Sequence, residues 1–212
     1  MASERAGAQG LGQQWQGRSR NDGRFDLAVN GGGLLTVDYR KDGYLPAQRQ
    51  LTAPWQGFAY LPDVVLIPVD PQVTEVALLS PAPQMADGSL VTDADGTRQA
   101  VLLFPANTSA DVQLADGSFE PLTTATLNVH LTEYTVGSSG SQAMPAELPP
   151  TSAYTYAVEL SAEEPQPEGA KVHFPTPIPL YVDNFVGFPV GGKQGPDFFW
   201  REINHSDYHL SN

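Results

Sequence analysis

The chain has 212 residues, enough for one large domain or two small ones, and 41% of them are apolar, enough to build a core. Its 20 glycines and 19 prolines exceed what a helical protein tolerates, because proline breaks helices and settles at turns and strand edges. The 24 acidic against 11 basic residues leave a net charge of −13, a field that repels nucleic acid and anionic membranes, and the absence of cysteine excludes disulfides and thiolate chemistry.

Residues 1–20 contain no apolar core of the kind a signal peptide needs, and no alternating pattern. They are expected to be a flexible segment without strands. From Asn21 the pattern changes. Phe25, Leu27 and Val29 alternate with Asp26, Ala28 and Asn30, and Leu35, Val37 and Tyr39 alternate with Thr36, Asp38 and Arg40. Period two predicts two half-covered strands, Arg24–Val29 and Leu34–Arg40. Asn30-Gly31-Gly32-Gly33 between them reads as a hairpin turn, since Asn and Gly reach positive φ cheaply. A phosphate-binding loop would need a following helix or a Lys-Ser/Thr ending, and neither follows. Further strands are expected near Gln48–Thr52 and Asp63–Ile67. The prolines of "IPVDPQ", Ile67 to Gln72, mark a boundary, giving a module over about 21–70.

The second region, 71–190, carries short candidate strands at fairly even spacing. They are Glu75–Leu79, Leu90–Thr92, Arg98–Phe104, Asp111–Leu114, Thr126–Thr135, Tyr154–Leu160, Lys171–Phe174 and Ile178–Val182. Such spacing predicts a β-sandwich. Residues 137–150, "GSSGSQAMPAELPP", read as a loop, and 191–212 as an aromatic and polar tail. The expected fold class is all-β. No apolar run reaches the 18 residues a membrane helix requires.

The stretch "DGRFDLAVNGGGLLTVDYRKDGYLPAQRQ" resembles the carboxypeptidase-regulatory-like, or transthyretin-like, module. Asp22, Gly23 and Phe25 match its opening turn, and Asp42, Gly43 and Tyr44 its later one. The module's usual first strands would precede Asn21, where no strand pattern is seen, so region one is expected to be partial and open-edged. "PWQGFAYLPDVVLIPVDPQVTEV", "VTDADGTRQAVLLFP", "PPTSAYTYAVELS" and "FVGFPVGG" extend the likeness. Together with the first stretch they are similar to the region before the repeats in bacterial Rhs/YD-repeat proteins. That resemblance implies transthyretin-like and fibronectin-like β-sandwich modules in a secreted or surface-associated protein. No Tyr-Asp repeats or toxin domain are present, and the resemblance brings no catalytic residue.

Chemical candidates are sparse. Asp93 and Asp95 in "TDADGTR" could converge on calcium from a turn, but position twelve from Asp93 is Phe104, so an EF-hand loop fails. His130 and Glu133 in "LNVHLTEYT" fall on opposite faces of a strand, which weakens a general-base pair and predicts an exposed histidine. His205 and His209 are four apart with Asp207 between, a spacing that could hold zinc on a helix, though the His-Glu-x-x-His signature is absent. Trp55, Phe58 and Tyr60, and Trp200 beside Phe198 and Phe199, are the candidate ligand-binding residues, able to stack on sugar rings or anchor a protein. The favoured reading of these clusters is the plainer one, that they seal an inter-domain seam. The preferred reading is a non-catalytic β-scaffold or interaction module that meets a protein partner, or a second copy, through a strand edge. Carbohydrate binding is the alternative, and a hydrolase of unrecognised type the third. No cofactor is expected, with calcium at Asp93 and Asp95 the one candidate.

Overall fold

The computed structural model describes residues 5–10, 13–30, 32–147, 155–163 and 170–187. Among them the only helical element is a short 3-10 turn, Gly140–Ala143. The chain is all-β, as its proline and glycine content predicts. It divides into two units: unit 1 is Met1–Val69 with Tyr134–Ala157, and unit 2 is Asp70–Glu133 with Val158–Asn212. Residues 134–157 were expected in the second region and group instead with the first.

Unit 1 contains β1 (Arg5–Gly10), β2 (Gln13–Arg18), β3 (Gly33–Arg40) and β4 (Ala47–Ala53), in one antiparallel sheet ordered β2-β1-β3-β4. The alternation is that of a half-covered sheet. Leu35 and Val37 of β3, and Ala47, Arg49 and Ala53 of β4, are buried, while Gln48, Gln50 and Thr52 are exposed. Leu35 stands opposite Leu51, and Val37 opposite Arg49. A second group of unit 1 residues, Leu45, Tyr134 and Met144, is buried with Ile67, Val69 and Ala157 against it. Main-chain bonds from Gln48 to the Pro145 carbonyl and from Val65 to the Gln142 carbonyl hold residues 142–145 to the unit.

The N-terminal stretch corrects the expectation of a strandless segment. β1 lies between β2 and β3, with Ala8 opposite both Trp15 and Val37. Alanine, glycine and glutamine have little strand preference of their own, so propensity is silent here. A ladder on each side of β1 supplies what side-chain pattern does not. Two paired strands therefore precede Asn21, and β3 has no open edge.

The glycine run is also not the expected hairpin. Phe25, Leu27 and Val29 are half-buried and their neighbours exposed, as the alternation predicts, yet residues 24–30 join no ladder. The partners of β3 are β1 and β4. Phe25 instead meets the Tyr39 ring edge-on, with centroids 5.6 Å apart. Period two reports one covered face, and a neighbouring side chain can cover it without pairing the backbone. Gly32 has φ +96 and donates its N–H to the Ala53 carbonyl at 2.7 Å, closing the end of β3 against β4. Gly31 lies outside the described residues. Residues 63–67, expected as a strand, make single main-chain bonds rather than a ladder, and the isolated bridge of Tyr44 falls just after them at Pro68.

Unit 2 carries β5 (Thr74–Ala77), β6 (Gln84–Asp87), β7 (Val91–Asp93), β8 (Gly96–Arg98), β9 (Ala100–Phe104), β10 (Asp111–Gln113), β11 (Phe119–Pro121), β12 (Thr126–Glu133), β13 (Val158–Ala162), β14 (Lys171–His173) and β15 (Leu180–Val182). They form three three-stranded antiparallel sheets, ordered β11-β10-β14, β13-β12-β5 and β15-β9-β6, and the hairpin β7-β8. Val76, Ala86, Ala100, Leu102, Phe104, Leu127, Val129 and Leu131 are buried there. Gly88 is required by close approach: a Cβ at that position would lie 2.7 Å from the Leu131 carbonyl oxygen.

Candidate functional site

The loop after β4 is built by two constraints. Pro54 cannot donate to a ladder and ends the strand. Gln56 then takes a positive φ of 54°, reversing the chain through Trp55-Gln56-Gly57. A Cβ on Gly32 would lie 3.7 Å from Trp55 Cε3, so the indole edge rests over the glycine that closes β3. The rest of each ring faces solvent: Trp55 is 71% exposed, Phe58 88% and Tyr60 91%. Leu34, opposite Thr52, is exposed too. These three aromatics seal no seam among the described residues; they are presented outward. Trp200, the fourth, lies outside the described residues, as do His205 and His209.

Asp93 and Asp95 sit in the turn of the β7-β8 hairpin. Asp93 Oδ1 accepts the Asp95 N–H at 3.0 Å, and Gly96 supplies the positive φ of 129°. The same carboxylate is gripped by Arg98. The guanidinium donates Nη1 to Oδ1 and Nη2 to Oδ2, both at 2.9 Å, and donates Nε to Glu133 Oε1 at 2.6 Å. Arg98 is 1% exposed, and the Phe185 ring lies 4.7 Å from its guanidinium carbon. The hydrogen bonds that Arg98 donates to Asp93, and then those to Glu133, hold Arg98 above the usual arginine range against the opposing effect of burial. Asp93 is thus a partner of a buried cation, and Asp95 is exposed. Among the described residues no group of three or more His, Asp or Glu side chains is arranged to hold a metal ion.

His130 was expected to be exposed and is 7% exposed. Its Nδ1 donates to the Asp70 carbonyl at 2.8 Å, and Nε2 lies 3.0 Å from Glu163 Oε1. Asp70 is itself engaged, accepting from the Ser89 hydroxyl at 2.6 Å and from the Ser89 and Gln72 N–H groups. The opposite facing of His130 and Glu133 holds, since Glu133 turns to Arg98. Each residue is tied into the packing of unit 2, and they form no acid–base pair.

The signals that sequence reasoning missed are the buried arginines. Arg49 points to the covered face of β4 and donates to the carbonyls of Gln48 (2.6 Å), Met144 (3.0 Å) and Gln142 (3.0 Å). Burial lowers its pKa from the ordinary arginine value. Its position was readable, because Ala47, Arg49, Leu51 and Ala53 share one strand face.

Residues 9–66 match the family model of the teneurin TTR-like domain. The match spans β2 to the extended stretch after Tyr60 and begins inside β1. It supports a transthyretin-like module there, beginning earlier than the sequence motifs suggested. No curated protein and no solved structure matches the chain. A transthyretin-like module suggests a non-catalytic β-domain.

Proposed function

We propose that the chain is a non-catalytic β-scaffold and interaction module of a secreted or surface-associated bacterial protein, resembling the region before Rhs/YD repeats. The observation that carries this reading is the transthyretin-like module over residues 9–66, which ends in an outward-facing aromatic loop. Aromatic side chains lose little rotamer freedom on contact and give large apolar area, so they serve as anchors for a polypeptide. The occupant of Trp55, Phe58 and Tyr60 is a protein segment. A second reading, carbohydrate binding, rests on the same exposure, because a flat indole stacks on a sugar ring.

Arrays of immobilised oligosaccharides and of extended 12-residue peptides, probed with the intact chain and with Trp55→Ala, separate the two. Peptide binding that is lost in the variant supports the module reading. Oligosaccharide binding lost in the variant, with no peptide bound, supports the second. Binding of neither class, together with turnover of a glycoside or ester substrate, would overturn both.

A further inference from the structure

We infer that β4 is a self-complementary edge through which two copies of this chain pair antiparallel about Leu51. This rests on the interaction-module reading and adds to it a second contact surface with a named partner. β4 is the outer strand of its sheet. Its Gln48 N–H points away from β3, since it bonds to the Pro145 carbonyl at 2.7 Å, while the Ala53 carbonyl points toward β3, where it accepts from Gly32. Alternation along an antiparallel strand then sends the main-chain N–H and C=O groups of Gln50 and Thr52 outward as well. Among the described residues, neither N–H has a hydrogen-bond partner.

These two residues flank Leu51 symmetrically. Placed antiparallel on a second β4, Gln50 stands opposite Thr52 of the other copy and Leu51 opposite Leu51. Both outward pairs then exchange N–H and C=O, giving four main-chain hydrogen bonds and an isologous contact. The ladder is bounded at both ends by chemistry already described. In this register Pro54, which has no N–H, falls opposite Gln48, whose N–H is taken by Pro145. No donor is left orphaned by stopping there. The exposed faces of Gln50 and Thr52 are uncharged, and Trp55 and Leu34 lie beside them.

Charge decides where two copies can meet. Unit 1 holds seven acidic and seven basic residues, whereas unit 2 holds seventeen and four, so the entire excess of −13 belongs to unit 2. Contact through unit 1 brings neutral surfaces together, and the repulsion between the copies is long-range and screened by salt. Association should therefore strengthen with salt, the reverse of a contact held by ion pairs.

Sedimentation velocity of the full chain over a hundredfold concentration range, at low and at physiological salt, tests this. The expected result is a weak dimer whose dissociation constant falls several-fold with added salt. Thr52→Pro, which removes an outward donor, should abolish it. Gln50→Lys, which sets two lysines diagonally across the dyad, should weaken it at least tenfold while leaving the backbone and melting temperature intact. A strict monomer in all conditions, or a dimer unchanged in both variants, would overturn the inference. A strict monomer whose peptide binding still depends on Trp55 would overturn it while leaving the module reading standing.

Discussion

Each unit buries one arginine among its described residues, and each solves the problem differently. Arg49 in unit 1 gives its protons to three backbone carbonyls, and burial lowers its pKa. Arg98 in unit 2 is held by the carboxylates of Asp93 and Glu133, and its pKa is raised. The difference follows the charge of the surroundings: unit 1 is neutral and unit 2 carries the whole −13. A cation bonded to backbone carbonyls, with Glu147 close enough to favour its charge, is a connector that ties strand to loop. A cation between two acids is a neutraliser whose loss exposes like charges to one another.

The sharpest way to break that contrast is Arg98→Met. It leaves the buried Glu133 and the half-buried Asp93 without a counter-charge, and unit 2 should lose about 3–5 kcal/mol in urea unfolding. Adding Glu133→Gln to Arg98→Met should restore a large part of the loss, because the repulsion goes with the charge. A double variant as unstable as the single one would show that packing, not charge, is the cost. Arg49→Met should do less, about 2 kcal/mol, because it leaves neutral carbonyls without a donor rather than carboxylates without a counter-charge. Equal losses at the two arginines would erase the distinction.

How far the sequence reveals these features depends on what signal each leaves. Ala100–Phe104 was legible as a continuous apolar run, and Thr126–Glu133 because Leu127, Val129 and Leu131 alternate with polar residues. The strands Arg5–Gly10 and Gln13–Arg18 were not, since "RAGAQG" and "QQWQGR" show no alternating apolar pattern in the sequence and pair through their backbone. Gln84–Asp87 and Phe119–Pro121 are too short to show a period. Residues 24–30 mislead in the opposite direction, showing the period without the ladder. For the site, the aromatic stretch from Trp55 to Tyr60 was visible as a composition, but whether it faced in or out was not. Arg98 and Glu133 lie 35 residues apart, so no local pattern could pair them. Asp93 looked like a metal ligand because its spacing to Asp95 is visible and its arginine partner's burial is not.

A smaller effect belongs to unit 1 alone. Burial pushes the Tyr39 hydroxyl up to about 12, partly opposed by Arg49. A pKa raised on folding means that the stabilisation is complete below about 10 and is lost as pH rises through 12. Between those limits the chain should lose about 1–2 kcal/mol more than Tyr39→Phe, after discounting for the partial exposure of the ring. Parallel pH curves for the two proteins would remove Tyr39 from the balance. The smallest effect expected is that of calcium. With Asp93 committed to Arg98, the chain and Asp95→Asn should show the same melting temperature with and without the ion. A calcium-dependent rise present only in the unsubstituted chain would mean that Asp93 can exchange Arg98 for a metal.

The neutral unit as the docking unit is tested most directly by a hydrogen-exchange footprint of the intact chain, compared at low and high protein concentration in physiological salt. The expected footprint is slowed exchange at Gln50 and Thr52, extending into the Trp55 to Tyr60 loop, with unit 2 unchanged. Concentration-dependent protection confined to unit 2, with Gln50 and Thr52 exchanging freely throughout, would contradict it.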